Sequence, residues 1–159
     1  MITLVLGGAR SGKSEVAEGL VGEGPVTYVA TGAAIDESMA ARIAAHRERR
    51  PRAWRTVEEG GTALPRVLAE LAGPVLLDSL TTWLAATPNF AVDPDELCVA
   101  LAKRDGDTVV VSDEVGLGVH PSTEAGNEFR DALGLLNQQV AAAADDVLLV
   151  VAGRTLRFT

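Results

Sequence analysis

The sequence has a single cysteine, Cys98, in 159 residues. One thiol can close no intrachain disulfide and build no cysteine-based zinc site, which suits a reducing compartment, and the cytoplasm is the expected location. Aromatic residues are scarce at 4%, and there are only two histidines. Positive charge is also short: 14 Lys and Arg stand against 22 Asp and Glu, a net charge of −8. Nucleic acids and anionic membranes are held by a positive footprint, so neither is an expected partner. No apolar run approaches the roughly 20 residues that span a bilayer, so no membrane insertion is expected. The opening Met1-Ile2-Thr3-Leu4-Val5-Leu6 has no basic lead-in and runs straight into glycines. It reads as a first strand and not as a signal peptide.

What is present in quantity is apolar, 47% of the chain, and it comes in short runs. Residues 2–6, 26–30, 75–78, 108–112 and 147–152 are almost unbroken Val, Leu and Ile, the pattern of parallel strands covered on both faces. Residues 54–57 form a shorter run of the same kind. Helical spacing fills residues 13–22, 38–50, 62–72, 94–103 and 124–144, while 86–94, with Pro88, Asn89, Asp93 and Pro94, reads as a loop. Strands alternating with helices imply one α/β domain over residues 1–159, with a mostly parallel sheet flanked by helices in three layers.

The first strand leads into Gly7-Gly8-Ala9-Arg10-Ser11-Gly12-Lys13-Ser14, a full match to the phosphate-loop pattern. A chance match in a chain of this length is below about 1% at ordinary residue frequencies. The spacing follows from the chemistry. Backbone N–H groups of the glycine-rich turn bind phosphate oxygens, and the next helix adds the positive end of its dipole. Lys13 would reach the β- and γ-phosphates of a nucleoside triphosphate such as GTP or ATP, and the Ser14 hydroxyl would bind Mg²⁺. Such sites take a carboxylate from the end of another strand. Asp78 is the first candidate, with Asp113 and Glu114 behind it. An Asp at these places is otherwise a helix cap or a turn residue.

A second cluster is basic. Arg42, Arg47, Arg49, Arg50, Arg52 and Arg55 fall within fourteen residues of an acidic chain. On a helix, Arg42, His46, Arg49 and Arg50 share a face, while Met39, Ile43 and Ala44 take another. Arginine forks bind phosphates, and nearby positive charge keeps His46 neutral and therefore nucleophilic. The plainer reading is a solvated basic helix with an incidental histidine. His120, beside Pro121, has no such company and reads as a loop residue.

Several further stretches carry a resemblance: Tyr28-Val29-Ala30-Thr31, Met39-x-x-Arg42-Ile43-x-x-His46, Arg50-Pro51-x-x-Trp54-x-Thr56-x-Glu58, Leu77-Asp78-Ser79-Leu80-Thr81-Thr82-Trp83-Leu84, Asp113-Glu114-Val115-Gly116-x-Gly118, Phe129-Arg130-Asp131-x-x-Gly134-x-x-Asn137-Gln138 and Ala144-Asp145. Together with residues 7–14, and in this order, they resemble the adenosylcobinamide kinase / adenosylcobinamide-phosphate guanylyltransferase family of cobalamin biosynthesis. The resemblance implies a RecA-like P-loop NTPase fold, commonly a homotrimer. It implies phosphorylation of adenosylcobinamide by ATP or GTP, then transfer of GMP from GTP to adenosylcobinamide phosphate with release of pyrophosphate. The guanylyl group would pass through a covalent phosphoramidate on His46, with Lys13 as the second catalytic residue. Nucleotide contacts would fall on Gly7, Gly8, Ala9, Arg10, Ser11, Gly12, Lys13, Ser14, Thr31, Gly32, Ala33, Arg47, Glu48, Arg49, Arg50, Glu58 and Asp78. The chain departs from the family at Asp113, where Asn is frequent, at His120, where an apolar residue is usual, and after Leu84, where the segment is short. Rival readings are a guanylyltransferase without kinase activity, a RecA-like ATPase or simple kinase, and a non-catalytic GTP sensor. The absence of an Asn-Lys-x-Asp base-recognition signature counts against the sensor.

Overall fold

In a computed structural model of the chain, residues 1–32 and 50–158 are described. Five of the apolar runs become strands: β1 (Ile2–Gly7), β2 (Thr27–Ala30), β4 (Val75–Asp78), β5 (Thr108–Asp113) and β6 (Asp146–Val151). β3 (Arg55–Glu58) is the short run near Trp54. These strands and a seventh, β7 (Arg154–Phe158), form one sheet in the order β3-β2-β4-β5-β1-β6-β7. Every pair is parallel except β6 with β7. The mostly parallel sheet expected from the alternation of runs is therefore present.

Side-chain alternation divides the strands between two apolar layers. Leu4, Val75, Leu77 and Val110 point to one layer, where α2 (Leu64–Glu70), α3 (Leu80–Ala86), α4 (Pro94–Lys103) and α5 (Glu124–Ala143) deliver Leu64, Leu68, Leu80, Trp83, Leu97, Leu101, Leu133 and Leu136. Val5, Tyr28, Leu76, Val109, Val111 and Val150 point to the other, where Ala17 of α1 (Lys13–Val21) packs. Because both faces are covered, the strands need no polar face, which is why they read as continuous apolar runs.

A single 3-10 turn, Pro88–Phe90, lies within the stretch expected to be a loop, and two larger elements also differ from expectation. α3 has seven residues, and its apolar positions Leu80, Trp83 and Leu84 make only one turn of helical period. Its start is fixed by Ser79, whose side chain accepts from the Thr82 N–H, in a capping box that uses Thr where Glu or Gln is usual. β7 follows a two-residue turn, Ala152-Gly153, with φ of 50° and 73°. Positive φ at both central residues is the primed hairpin geometry, normally announced by Asn-Gly, and alanine hides it. So Ala152, expected at the end of a strand, sits in the turn. Of the expected helix over 38–50, only Arg50 lies within the described residues.

Candidate active site

Parallel register brings the C-terminal ends of the strands to one rim, the edge where α/β sheets bind ligands. Gly7 of β1 lies beside Asp113 of β5, and Ala30 of β2 lies between Glu58 of β3 and Asp78 of β4. The loop of residues 7–14 rises from this rim. A Cβ at Gly7 would stand 2.4 Å from Ser11 Oγ and 2.8 Å from the Val150 carbonyl, so only glycine lets the chain turn there. Gly12, with φ of 93°, is the residue before α1. No side chain caps that helix start. Its first N–H groups and its dipole face the loop, as an anion-binding turn requires. The hairpin turn braces the loop from the far side: Gly153 N–H donates to the Ser11 carbonyl at 2.8 Å.

Lys13 Nζ lies 2.5 Å from Asp113 Oδ1, with the two side chains 12% and 26% exposed, and 3.4 Å from the Gly8 carbonyl. Asp113 is itself held at both backbone groups. Its N–H donates to Thr81 Oγ1 at 2.9 Å, and its carbonyl accepts from Asn137 Nδ2 at 3.0 Å. The next N–H, of Glu114, donates to the Gly7 carbonyl, which ties the two strand ends together. The Glu114 carboxylate turns back to the Gly116 N–H at 2.7 Å.

At the end of β4, the strand next to β5, Asp78 Oδ2 accepts from the Tyr28 hydroxyl at 2.6 Å. Burial, with the negative Asp78 alongside, pushes the Tyr28 phenol far above its ordinary pKa, so it stays a donor. The Arg50 guanidinium lies over the same ring, 3.2 Å from its centroid. Thr31 is a knot beside this group. Its Oγ1 contacts the Ser79 carbonyl at 2.6 Å, the Ser79 N–H at 2.9 Å and Thr82 Oγ1 at 2.6 Å.

The expected residues Gly7, Gly8, Ala9, Arg10, Ser11, Gly12, Lys13, Ser14, Thr31, Gly32, Glu58 and Asp78 thus belong to one rim or its loop. Arg50 joins them through Tyr28. Ala33, Arg42, His46, Arg47, Glu48 and Arg49 lie outside the described residues. Tyr28, Thr81 and Asn137 carry no signal of a site role in the sequence beyond their motifs, because their contacts with the rim depend on strand and helix neighbours distant in sequence. His120 is exposed, and its Nδ1 meets Arg130 Nη1 at 2.9 Å.

The oxygen donors at this rim are the Ser14 hydroxyl next to Lys13, the Asp113 carboxylate paired with it, and the carboxylates of Asp78 at the end of β4 and Glu114 just after β5. These are hard ligands of the kind Mg²⁺ takes, one or two at a time beside substrate phosphates. Among the described residues no three His, Cys, Asp or Glu side chains converge as a metal cage. This donor set fits a magnesium ion carried with a nucleotide.

A family model described as cobinamide kinase / cobinamide phosphate guanyltransferase matches residues 3–158. The bifunctional adenosylcobalamin biosynthesis protein CobU of Salmonella typhimurium is 39% identical over 175 aligned residues, covering 96% of this chain and 97% of that protein. CobU of Escherichia coli is 40% identical with the same coverage. The bifunctional adenosylcobalamin biosynthesis protein CobP of Pseudomonas aeruginosa is 42% identical over 166 residues, 96% of this chain and 94% of that protein.

Proposed function

The chain belongs to the cobinamide kinase / cobinamide phosphate guanyltransferase family, and from that premise we propose how its residues divide the work. The enzyme is a bifunctional kinase and guanylyltransferase of cobalamin biosynthesis. Its substrates are GTP, ATP, adenosylcobinamide and adenosylcobinamide phosphate. The single domain of residues 1–159 acts in the cytoplasm as a homotrimer.

The observation that carries the reading is the loop of residues 7–14, uncapped at Gly12 and with Lys13 held at its mouth. The loop N–H groups and Lys13 bind the triphosphate. Arg47, Glu48, Arg49, Arg50, Glu58, Thr31, Gly32, Ala33 and Asp78 complete the nucleotide contacts. Ser14 and a rim carboxylate, Asp78 first and Asp113 or Glu114 otherwise, would hold Mg²⁺, which would supply charge neutralisation on the phosphates. In guanylyl transfer, a neutral nitrogen of His46 attacks the α-phosphorus. The N–P bond forms as the α–β P–O bond breaks, and Lys13 stabilises the departing pyrophosphate. An oxygen of the corrinoid phosphate then attacks the same phosphorus. The N–P bond breaks, adenosylcobinamide-GDP leaves and His46 is regenerated. In the kinase step the same loop presents the γ-phosphoryl group to the corrinoid hydroxyl.

Incubation with α-labelled GTP leaves acid-labile label on the wild type and none on His46→Ala. Equal labelling of the two refutes the histidine intermediate. Thin-layer assay of adenosylcobinamide with ATP or GTP gives the phosphorylated product, and its absence removes the kinase half.

A further inference from the structure

Among the described residues, Tyr28 is an aromatic side chain that touches two of the proposed nucleotide contacts, yet it has no part in the chemistry above. It lies on β2, 5% exposed, two residues short of the rim, with its ring in the apolar layer under α1. Packing there asks only for a ring, and phenylalanine would meet that need. The hydroxyl adds something else. It donates to Asp78 Oδ2 at 2.6 Å, and a buried hydroxyl is kept only where it has such a partner. The other face of the ring's surroundings is equally specific. The Arg50 guanidinium stacks on it at 3.2 Å, and among the described residues Arg50 Nη1 also donates to Thr56 Oγ1 at a long 3.4 Å. The ring is therefore a platform for the Arg50 guanidinium, held there by cation–π contact.

We propose that Tyr28 is a positioning residue of the nucleotide site: its hydroxyl orients the Asp78 carboxylate toward the magnesium–phosphate end, and its ring holds Arg50 in place for the nucleotide. This rests on the reading of Asp78 and Arg50 as nucleotide-site residues. It separates the side chain into two parts with different effects. Loss of the hydroxyl disturbs only the carboxylate, and loss of the ring disturbs the arginine as well.

Tyr28→Phe, Tyr28→Leu, Asp78→Asn and the double variant Tyr28→Phe/Asp78→Asn test this by calorimetric titration with GTP, in EDTA and in Mg²⁺, alongside guanylyl-transfer kinetics. Tyr28→Phe is expected to bind metal-free GTP within about twofold of wild type, to lose about tenfold of the tightening that Mg²⁺ gives, and to lose kcat by a similar factor, the scale of one hydrogen bond to a charged group. Tyr28→Leu is expected to weaken metal-free GTP binding by about fivefold in addition, as the stacked arginine is released. The double variant is expected to be no worse than Asp78→Asn alone, because the hydroxyl acts through that carboxylate. If Tyr28→Phe matches wild type in Mg²⁺ while Asp78→Asn is impaired, the positioning role is wrong and the nucleotide reading stands. If the two losses add in full, the hydroxyl does not act through Asp78 and the proposal is overturned. If Asp78→Asn changes nothing, the nucleotide reading of Asp78 fails and takes the proposal with it. Should Tyr28→Leu fail to fold, the isosteric Phe variant and its cycle still decide the matter.

Discussion

Asp113→Asn asks whether Lys13 must be taken from a carboxylate before it can hold a phosphate. The pair is 2.5 Å apart and mostly shielded, with side chains 12% and 26% exposed. A triphosphate arriving at the loop must displace the Asp113 carboxylate from Lys13 and also meets its negative charge. An exposed pair would contribute about 0–1 kcal/mol, and breaking a fully buried one costs about 3–5 kcal/mol. This pair lies between, so about 1–2 kcal/mol of nucleotide affinity is withheld, or roughly 5- to 30-fold in Kd. Asparagine preserves the backbone bonds to Thr81 and Asn137, so the strand end stays in place. In EDTA, displacement of a fluorescent GTP analogue should therefore show tighter binding by that factor, with the gain shrinking as salt screens the charges. In Mg²⁺ the gain is smaller wherever Asp113 also serves the metal. Unchanged or weaker metal-free binding refutes the competition.

Arg104 sits at the opposite edge of the sheet and donates to the Leu68, Leu71 and Gly73 carbonyls and to Thr108 Oγ1 at 2.5–2.9 Å. Arg104→Met strands these acceptors, so a loss of about 2–4 kcal/mol in urea unfolding is expected; a loss under about 0.5 kcal/mol would show that water replaces the guanidinium. Ala152→Asn suits the positive φ of the hairpin turn and should raise Tm by about 2 °C with guanylyl transfer unaltered, whereas a fall in Tm would mean that the turn is read wrongly. The Arg157 hydrogen bond, with its charge, holds Asp146 below its ordinary pKa of 3.8. A carboxylate with a depressed folded pKa stabilises the fold above its unfolded value and loses that contribution as pH falls through the folded one. The Tm gap between wild type and Asp146→Asn should thus be constant at neutral pH and close in acid; a gap that widens in acid contradicts the pairing.

Much of the sheet was legible because doubly covered strands must be largely apolar, and residues 2–6, 75–78 and 108–112 follow that rule apart from Thr3 and the polar residues Asp78, Thr108 and Ser112 at strand ends. The phosphate loop was legible for a different reason: its glycines and Lys13 are spaced by the size of a phosphate, a local constraint written within eight residues. α3 was not legible, since one turn of Leu80, Trp83 and Leu84 is too short to show a period and its cap uses an unusual partner. β7 was hidden by an alanine in a turn that favours asparagine.

The sequence by itself determined the alternation of strands and helices, the anion-binding loop and the family, because each depends on residues close together in the chain or on motif order. Only the tertiary structure decided which carboxylate meets Lys13 and which side chain holds Asp78. Those contacts come from strand order: β5 is placed beside β1, which brings Asp113 to the loop, and β2 is placed beside β4, which brings Tyr28 to Asp78. No local pattern in the chain encodes which strands become neighbours, and Asp78 and Asp113 look alike until the sheet is assembled.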